Sequence, residues 1–438
     1  MKEKRPLPQL KKDFLLFTII SLIFLSLIIS VNLNVNSNNN GLDTTETPMN
    51  IFDTKFIPDV WNKSLDAAID LPGIYIMSEK EILQARYITG FLTTENFTLL
   101  CNIKIRGHSV ATLAKKGYRL EFREKVSLLG MRKDDDWFLF ASYLDQTRMR
   151  TKLAFDLWRS LKVDNPTAIL PNSRYVKLFI NKAFQGIYLL AEKTDKKLFG
   201  LDDAQNNKNT SLIFKAKAPQ LWEQAYPNEE DGFFVLNDII IELTDFISNT
   251  SNDVFFNIEN GIFSKFEKKN LIDFYLFNFF ILHRDFWSHN YYLVRNSSPE
   301  KFFLIPWDFD ACFGQLGWRV YNFTMIDTYY KNVLWYRLMR NNSFKIEIKE
   351  RWKNLRENLW TEDFFISMLD EIYGDINVAL EFEMNLWKPI TIEGPVNGSW
   401  PDVFIYSNEE FNLEEKINSL EEWILNRLEI CDSYFDIL

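Results

Sequence analysis

The sequence predicts an α+β fold: a β-rich N-terminal half and a helical C-terminal half, preceded by one N-terminal transmembrane helix. Three observations carry this expectation. Between Leu71 and Phe122, short runs rich in β-branched and aromatic residues alternate with polar ones, the period of half-buried strands. From about Tyr329 onward, apolar residues recur at three- and four-residue spacing, the period of amphipathic helices. Phe14 to Val31 is an uncharged run rich in Leu, Ile and Phe, at the lower length limit for crossing a bilayer.

The elements follow in order. Lys2, Lys4, Arg5, Lys11 and Lys12 precede the apolar run. They predict a cytoplasmic basic segment at 1–13, an anchor at 14–31 and a body outside the cytoplasm. A cleaved signal peptide is the alternative, and Ser30-Val31-Asn32 is a poor cleavage site. The Asn-rich stretch 32–58 reads as a flexible linker. Sequons at Asn62, Asn96, Asn209 and Asn322 are compatible with an extracytoplasmic, membrane-anchored or secreted body. That body, 59–438, divides into an N-terminal lobe at about 70–220, a central segment at 270–318 and a helical part at 325–438.

In the first lobe, Gly73–Met77, Phe97–Ile105 and Gly117–Phe122 are expected strands. In the last of these, Tyr118, Leu120 and Phe122 share one face, and Arg119 and Glu121 the other. Lys115 and Lys116 then stand at a sheet edge near the Arg106-Gly107-His108-Ser109 turn. Cations there suit phosphate, a charged hairpin rim being the alternative. Asp134-Asp135-Asp136 lacks the spacing of a calcium loop and reads as a solvated turn. Asp145 to Leu161 is an expected helix with Arg148 and Arg150 in its first turn. Ser173–Ile180 and Ala183–Glu192 flank Asn181-Lys182 as a hairpin, and Leu212–Lys217 adds a strand with Lys215 and Lys217 on one face. Lys345–Trp360, Thr361–Tyr373 and Leu413–Ser433 are expected helices, the last two separated by the Gly-, Pro- and Asn-containing stretch Thr391–Pro401.

Composition narrows the chemistry. The 438 residues are 47% hydrophobic, enough for a large core, and the net charge is −10. The basic excess of the first 13 residues makes the body more acidic still, which argues against nucleic acid as a partner. Cys101, Cys312 and Cys431 are too scattered for a disulfide framework or a zinc site. With only three histidines, any metal should be a hard cation held by oxygen. No G-x-G-x-x-G or Walker A sequence occurs, so phosphate must be held by something other than a Gly-rich loop.

The central segment carries the chemistry. An apolar helix, Leu271 to Leu282, runs into the loop from His283 to Asn290. Two short strands follow, Tyr291–Arg295 and Phe302–Pro306, joined by Asn296 to Lys301 in turn chemistry throughout. Antiparallel pairing sets Asn290 and Asp308 at the same open end, with Asp285 beside them and Asp310 near. Two acids and an amide converging there suit Mg²⁺. Protein kinases show the same order of parts: an H-R-D-x-x-x-x-N loop, a hairpin, then D-F-G, where this chain has Asp308-Phe309-Asp310.

Across roughly residues 70–435 the chain resembles the CotH family of atypical, spore coat protein H-like kinases. The resemblance rests on Ile105 to Ser109, Lys115 to Phe122, Leu128 to Met131, Asp136-Trp137, Asp145, Arg150, Phe179 to Lys182, Gly186 to Leu190 and Glu192-Lys193. It continues through Asp285, Asn290 to Leu293 and Ile305-Pro306-Trp307-Asp308-Phe309-Asp310. His108 stands where Asn is commoner, and Gly117 departs from the usual run after two lysines. The resemblance implies a divergent protein-kinase-like fold, Mg²⁺ (or Mn²⁺), ATP as co-substrate, and Ser or Thr of secreted proteins as acceptor. It aligns Asp285 with the catalytic acid, Asp308 with the metal-binding acid and Asn290 with the amide between them. On this reading Asp310 serves a possible second ion, Lys116 is the phosphate lysine oriented by Glu192, and Arg106 and Arg150 contact phosphate. Transfer of another part of ATP, or a non-catalytic surface adhesin or pseudokinase, are the rival readings.

Overall fold

The computed structural model describes residues 63–107, 111, 113–218, 221–228, 236–283, 289–316, 319–320, 323–324, 332–387 and 412–438. Seven strands of the N-terminal part close into a barrel: β1 (Gly73–Met77), β2 (Ile88–Thr93), β3 (Thr98–Arg106), β4 (Gly117–Val126), β5 (Asp134–Phe140), β6 (Ser173–Ile180) and β7 (Ala183–Glu192). The order is β1-β2-β3-β4-β5-β7-β6, antiparallel throughout except where β6 returns parallel to β1 and closes it. Alternation fills the interior: Tyr118, Leu120 and Phe122 of β4 face Trp137 and Leu139 of β5 and Leu190 of β7 in one apolar cluster, while Arg119 and Glu121 point away.

Closure overturns two sequence expectations. A barrel has no free edge at β4, so the start of that strand is not a solvated rim: Lys115 is buried. The three successive aspartates are not a solvated turn either; they open β5. Asp134 is buried against Arg132 and Lys197, and Asp136 is held by Arg119 and Lys193. Apart from the nearby Arg132, these counter-cations come from distant positions, so the run was not legible as a strand from its own residues. Strand β2 was not anticipated.

Between β5 and β6 lies helix α1 (Arg150–Ser160), shorter than expected because Arg148, just before it, has left-handed backbone at φ 62°. A second sheet follows in the order β11-β10-β8-β9, from β8 (Leu212–Ala218), β9 (Leu221–Tyr226), β10 (Tyr291–Arg295) and β11 (Phe303–Pro306). Helix α2 (Asn237–Asn249) leads to α3 (Lys268–Phe280), buried on every side from Asn270 onward. An all-round apolar helix belongs at the centre of a core. Helices α4 (Asn342–Asn358) and α6 (Leu413–Asp436) pack on it, and α5 (Glu362–Leu386) packs on β7. Residues 57–438 form one compact unit, mixed α+β with a β-rich first half and a helical last part. Among the described residues no helix is long and apolar enough to cross a membrane. The expected anchor at 14–31, the linker at 32–58 and the interruption at Thr391–Pro401 lie outside the described residues.

Candidate active site

The site grows from the C-terminal end of α3. Leu282 turns the chain out at φ 52°, and His283 follows, fully buried. Asp285 lies in the stretch 284–288, outside the described residues. The chain returns at Asn290, whose φ is 63°, and enters β10. The β10–β11 register pairs Tyr291 with Pro306, and the Trp307 amide donates to the Asn290 carbonyl at 2.9 Å. Asn290 and Asp308 therefore leave the hairpin at one end. Asp308 is again left-handed, at φ 67°, and opens the short turn Phe309–Ala311.

Three left-handed non-glycine residues around one loop are an unusual density, and such backbone persists only where surroundings hold it. Here they do. His283 Nε2 lies 3.0 Å from the Asp308 carbonyl oxygen and so donates to it. The other ring nitrogen lies 2.9 Å from Asn278 Oδ1, on α3. Phe309 is buried against Phe155 of α1 and Phe277 of α3. Trp307 packs with Phe138 and Phe140 of the barrel, Phe155 of α1 and Tyr292 of β10, centroids 5.8–6.4 Å apart. Barrel, helix and hairpin are thus keyed to one another at the residue preceding Asp308.

Above this floor the Asp308 side chain is exposed, and neither it nor the Asn290 amide has a hydrogen bond among the described residues. Asp310 is partly exposed two residues on. Arg106, at the end of β3, carries its guanidinium 4.4 Å from the Phe138 ring and 4.2 Å from that of Phe140. Burial pushes its pKa down, and Asp308 opposes that. Lys215 of β8 sits opposite Tyr292, with its ammonium 5.9 Å from that ring. Burial lowers its pKa too, helped by Lys217 and opposed by Asp308.

The remaining expected residues are spent differently. Lys116 donates to the Ala111 carbonyl at 3.0 Å and to that of Leu113, closing its own loop. Glu192 does not face it. Its carboxylate accepts the Arg132 amide at 3.0 Å and the Asn172 amide at 2.9 Å. At the start of α1 the Arg150 guanidinium donates to Asp145 at 2.6 Å and its backbone amide donates to the same carboxylate at 2.8 Å, while its Nε is buried without a hydrogen-bond partner among the described residues. Burial resists charge on Asp145, but Arg150 and two backbone amides outweigh it and hold the carboxyl below its usual range.

A buried triad that the sequence did not reveal joins α5 to the barrel. Glu383, near the end of α5, accepts from Lys115 at 2.7 Å, Arg148 at 2.9 Å and the Ile187 amide at 2.9 Å. Burial lowers the Lys115 pKa to about 8, against the pull of Glu383, because one carboxylate serves two cations. Glu383 itself feels burial first, yet its two cations hold it ionised below the ordinary range. The partners stand 268 and 235 residues apart in sequence, and no local pattern announces them.

Among the described residues no group of three His, Cys, Asp or Glu is arranged to hold a metal ion. Asp308, Asp310 and Asn290 supply two carboxylates and an amide, all hard oxygen donors suited to Mg²⁺, and the fourth expected member, Asp285, is outside the described set.

Two comparisons bear on this geometry. The inner spore coat protein H of Bacillus subtilis (strain 168) is 25% identical over 321 residues, covering 68% of this chain and 82% of that protein. A family model described as CotH kinase protein matches residues 103–431, from β3 to the last helix. With most of its length matched, including β4 to β7 of the barrel, the hairpin and the Asp308 turn, the chain belongs to the CotH kinase protein family.

Proposed function

We propose that this protein is an ATP- and Mg²⁺-dependent kinase that phosphorylates Ser or Thr of secreted or cell-surface proteins, on a divergent protein-kinase-like fold. The observation that carries the reading is the β10–β11 register, which brings Asn290 and Asp308 to one end of a hairpin with their side chains uncommitted. Family membership and the order of parts shared with protein kinases support it. The name of the Bacillus relative, an inner spore coat protein, supports action outside the cytoplasm. So does the basic-then-apolar N-terminus.

Phosphoryl transfer asks a protein mainly for alignment and charge neutralisation. Asp308, Asn290 and Asp310 would hold Mg²⁺, which supplies positive charge to the phosphate oxygens. Asp285 orients the acceptor hydroxyl and takes its proton as the oxygen–phosphorus bond forms. ADP leaves with the electrons of the broken bond. His283 keeps the Asp308 backbone in place through its 3.0 Å contact.

The test is transfer from labelled ATP to a Ser-rich acceptor, with and without Mg²⁺. Asp308→Ala should abolish Mg²⁺-dependent nucleotide binding and transfer. Asp285→Asn should still bind Mg-ATP while transfer falls about 10²-fold or more, the scale of a positioned base. Variants as active as the parent would sink the kinase reading in favour of a surface-binding role. Label recovered on the acceptor from the nucleotide portion rather than the γ-phosphate would show transfer of a different part of ATP.

A further inference from the structure

Among the described residues most buried cations are paired. Lys115 and Arg148 share Glu383, Arg150 binds Asp145, Lys177 binds Asp66, and Arg427 donates to the carbonyls of Phe279, Phe280 and Phe323. Arg106 and Lys215 depart from this. Both are partly buried, and neither has a hydrogen bond or ion pair among the described residues. Among the described residues their positive charges rest against aromatic rings: Phe138 and Phe140 for Arg106, Tyr292 for Lys215. Glu223, across the β8–β9 pair from Lys215, is taken by Lys217 at 2.6 Å. Asp308 is close enough to raise the pKa of both, yet neither closes on it to form an ion pair.

A partly desolvated cation without a counter-ion is costly, and two side by side repel each other. An arrangement that holds two cations apart from a free carboxylate is stable when something carrying both signs of charge fills it. Ring stacking keeps the cations from collapsing onto Asp308. We propose that Arg106 and Lys215 form the phosphate-binding pair of this protein, with Lys215, rather than Lys116, as the lysine that receives the polyphosphate of the nucleotide. This rests on the kinase reading for the identity of the ligand, but the anion site itself rests on the two unpartnered cations.

The experiment titrates the full chain in detergent with ATP, tripolyphosphate and adenosine, with and without Mg²⁺. It is run on the parent, Lys215→Met and Lys116→Met, alongside thermal unfolding. Lys215→Met should weaken ATP and tripolyphosphate about 10- to 100-fold, the scale of a charge-assisted hydrogen bond, and leave adenosine unchanged. It should lose more affinity than Lys116→Met and unfold at the same temperature as the parent or higher. Equal ATP binding by parent and Lys215→Met overturns the cation pair and leaves the kinase reading standing. Lys215-dependent binding of tripolyphosphate without binding of ATP keeps the pair and removes the nucleotide. Binding of neither overturns both, and a Lys215→Met chain that does not fold makes Lys215 structural and overturns the pair.

Discussion

Removing the Glu383 carboxylate tests whether the helical part and the barrel are locked together by charge. Glu383 is fully buried, as are the side chains of Lys115 and Arg148 that it serves. Truncation to alanine would leave the Lys115 ammonium with the Ile187 carbonyl and the Tyr188 ring, and the Ile187 amide without its acceptor. Arg148 would fare better, since it also donates to the carbonyls of Ser142, Tyr143 and Asp145. Breaking a buried pair by removing one partner costs about 3–5 kcal/mol, because the surviving charge stays in a low dielectric. Glu383→Ala should fall in that range. Lys115→Met should cost less, because Arg148 still neutralises the carboxylate and a methionine fills much of the lysine's volume. Urea unfolding followed by tryptophan fluorescence reads both. The order of the two variants matters as much as the size. A loss below about 1 kcal/mol for Glu383→Ala, the value of an exposed pair, would mean water reaches the triad. A larger loss for Lys115→Met than for Glu383→Ala would refute the idea that one carboxylate carries two cations.

The triad also sets a pH dependence. The folded pKa of Glu383 is depressed, so its contribution is complete above the ordinary carboxyl value of 4.5 and disappears as pH falls through the lower folded value. Below pH 4.5 the stability difference between parent and Glu383→Gln should therefore shrink as pH falls; a difference that grows there would reverse the sign of the argument.

Much of the fold was legible because its signals are local. The β6–β7 hairpin falls between Ser173 and Glu192 as its flanking strands and Asn181-Lys182 turn require. The β10–β11 hairpin matches to within a residue, and so does the lower bound of the last helix. Alternation along β4 named the buried face correctly. What failed depends on distance in sequence. Asp134 to Asp136 look solvated until Arg119, Lys193 and Lys197 are brought to them by barrel closure. Lys115 looks like a rim cation until Glu383 arrives from α5. The sequence placed Lys215 and Lys217 on one face of their strand, yet nothing local said that Arg106 and Asp308 would gather beside Lys215. The Asn290 and Asp308 pairing was readable because a hairpin's register is a local property.

The backbone at Asp308 makes one further demand. Its φ of 67° costs any L-residue with a Cβ, least of all Asp or Asn and more for alanine. Only glycine takes that conformation freely. Glycine would serve stability better at this position, which makes the carboxylate the group to test. This separates two substitutions that both remove the acid. Asp308→Ala should lose nucleotide-linked activity and also destabilise the fold, because it keeps the strain and loses the side chain best suited to it. Asp308→Gly should lose the same activity while unfolding at a higher denaturant concentration than Asp308→Ala, by about 1 kcal/mol. Neither change touches the His283 contact, which is made to the backbone carbonyl. Paired urea titrations and transfer assays on the two variants decide the matter. Equal stability of the glycine and alanine variants would mean the turn relaxes out of the left-handed region. Retained activity in Asp308→Gly would mean the carboxylate was never the functional group.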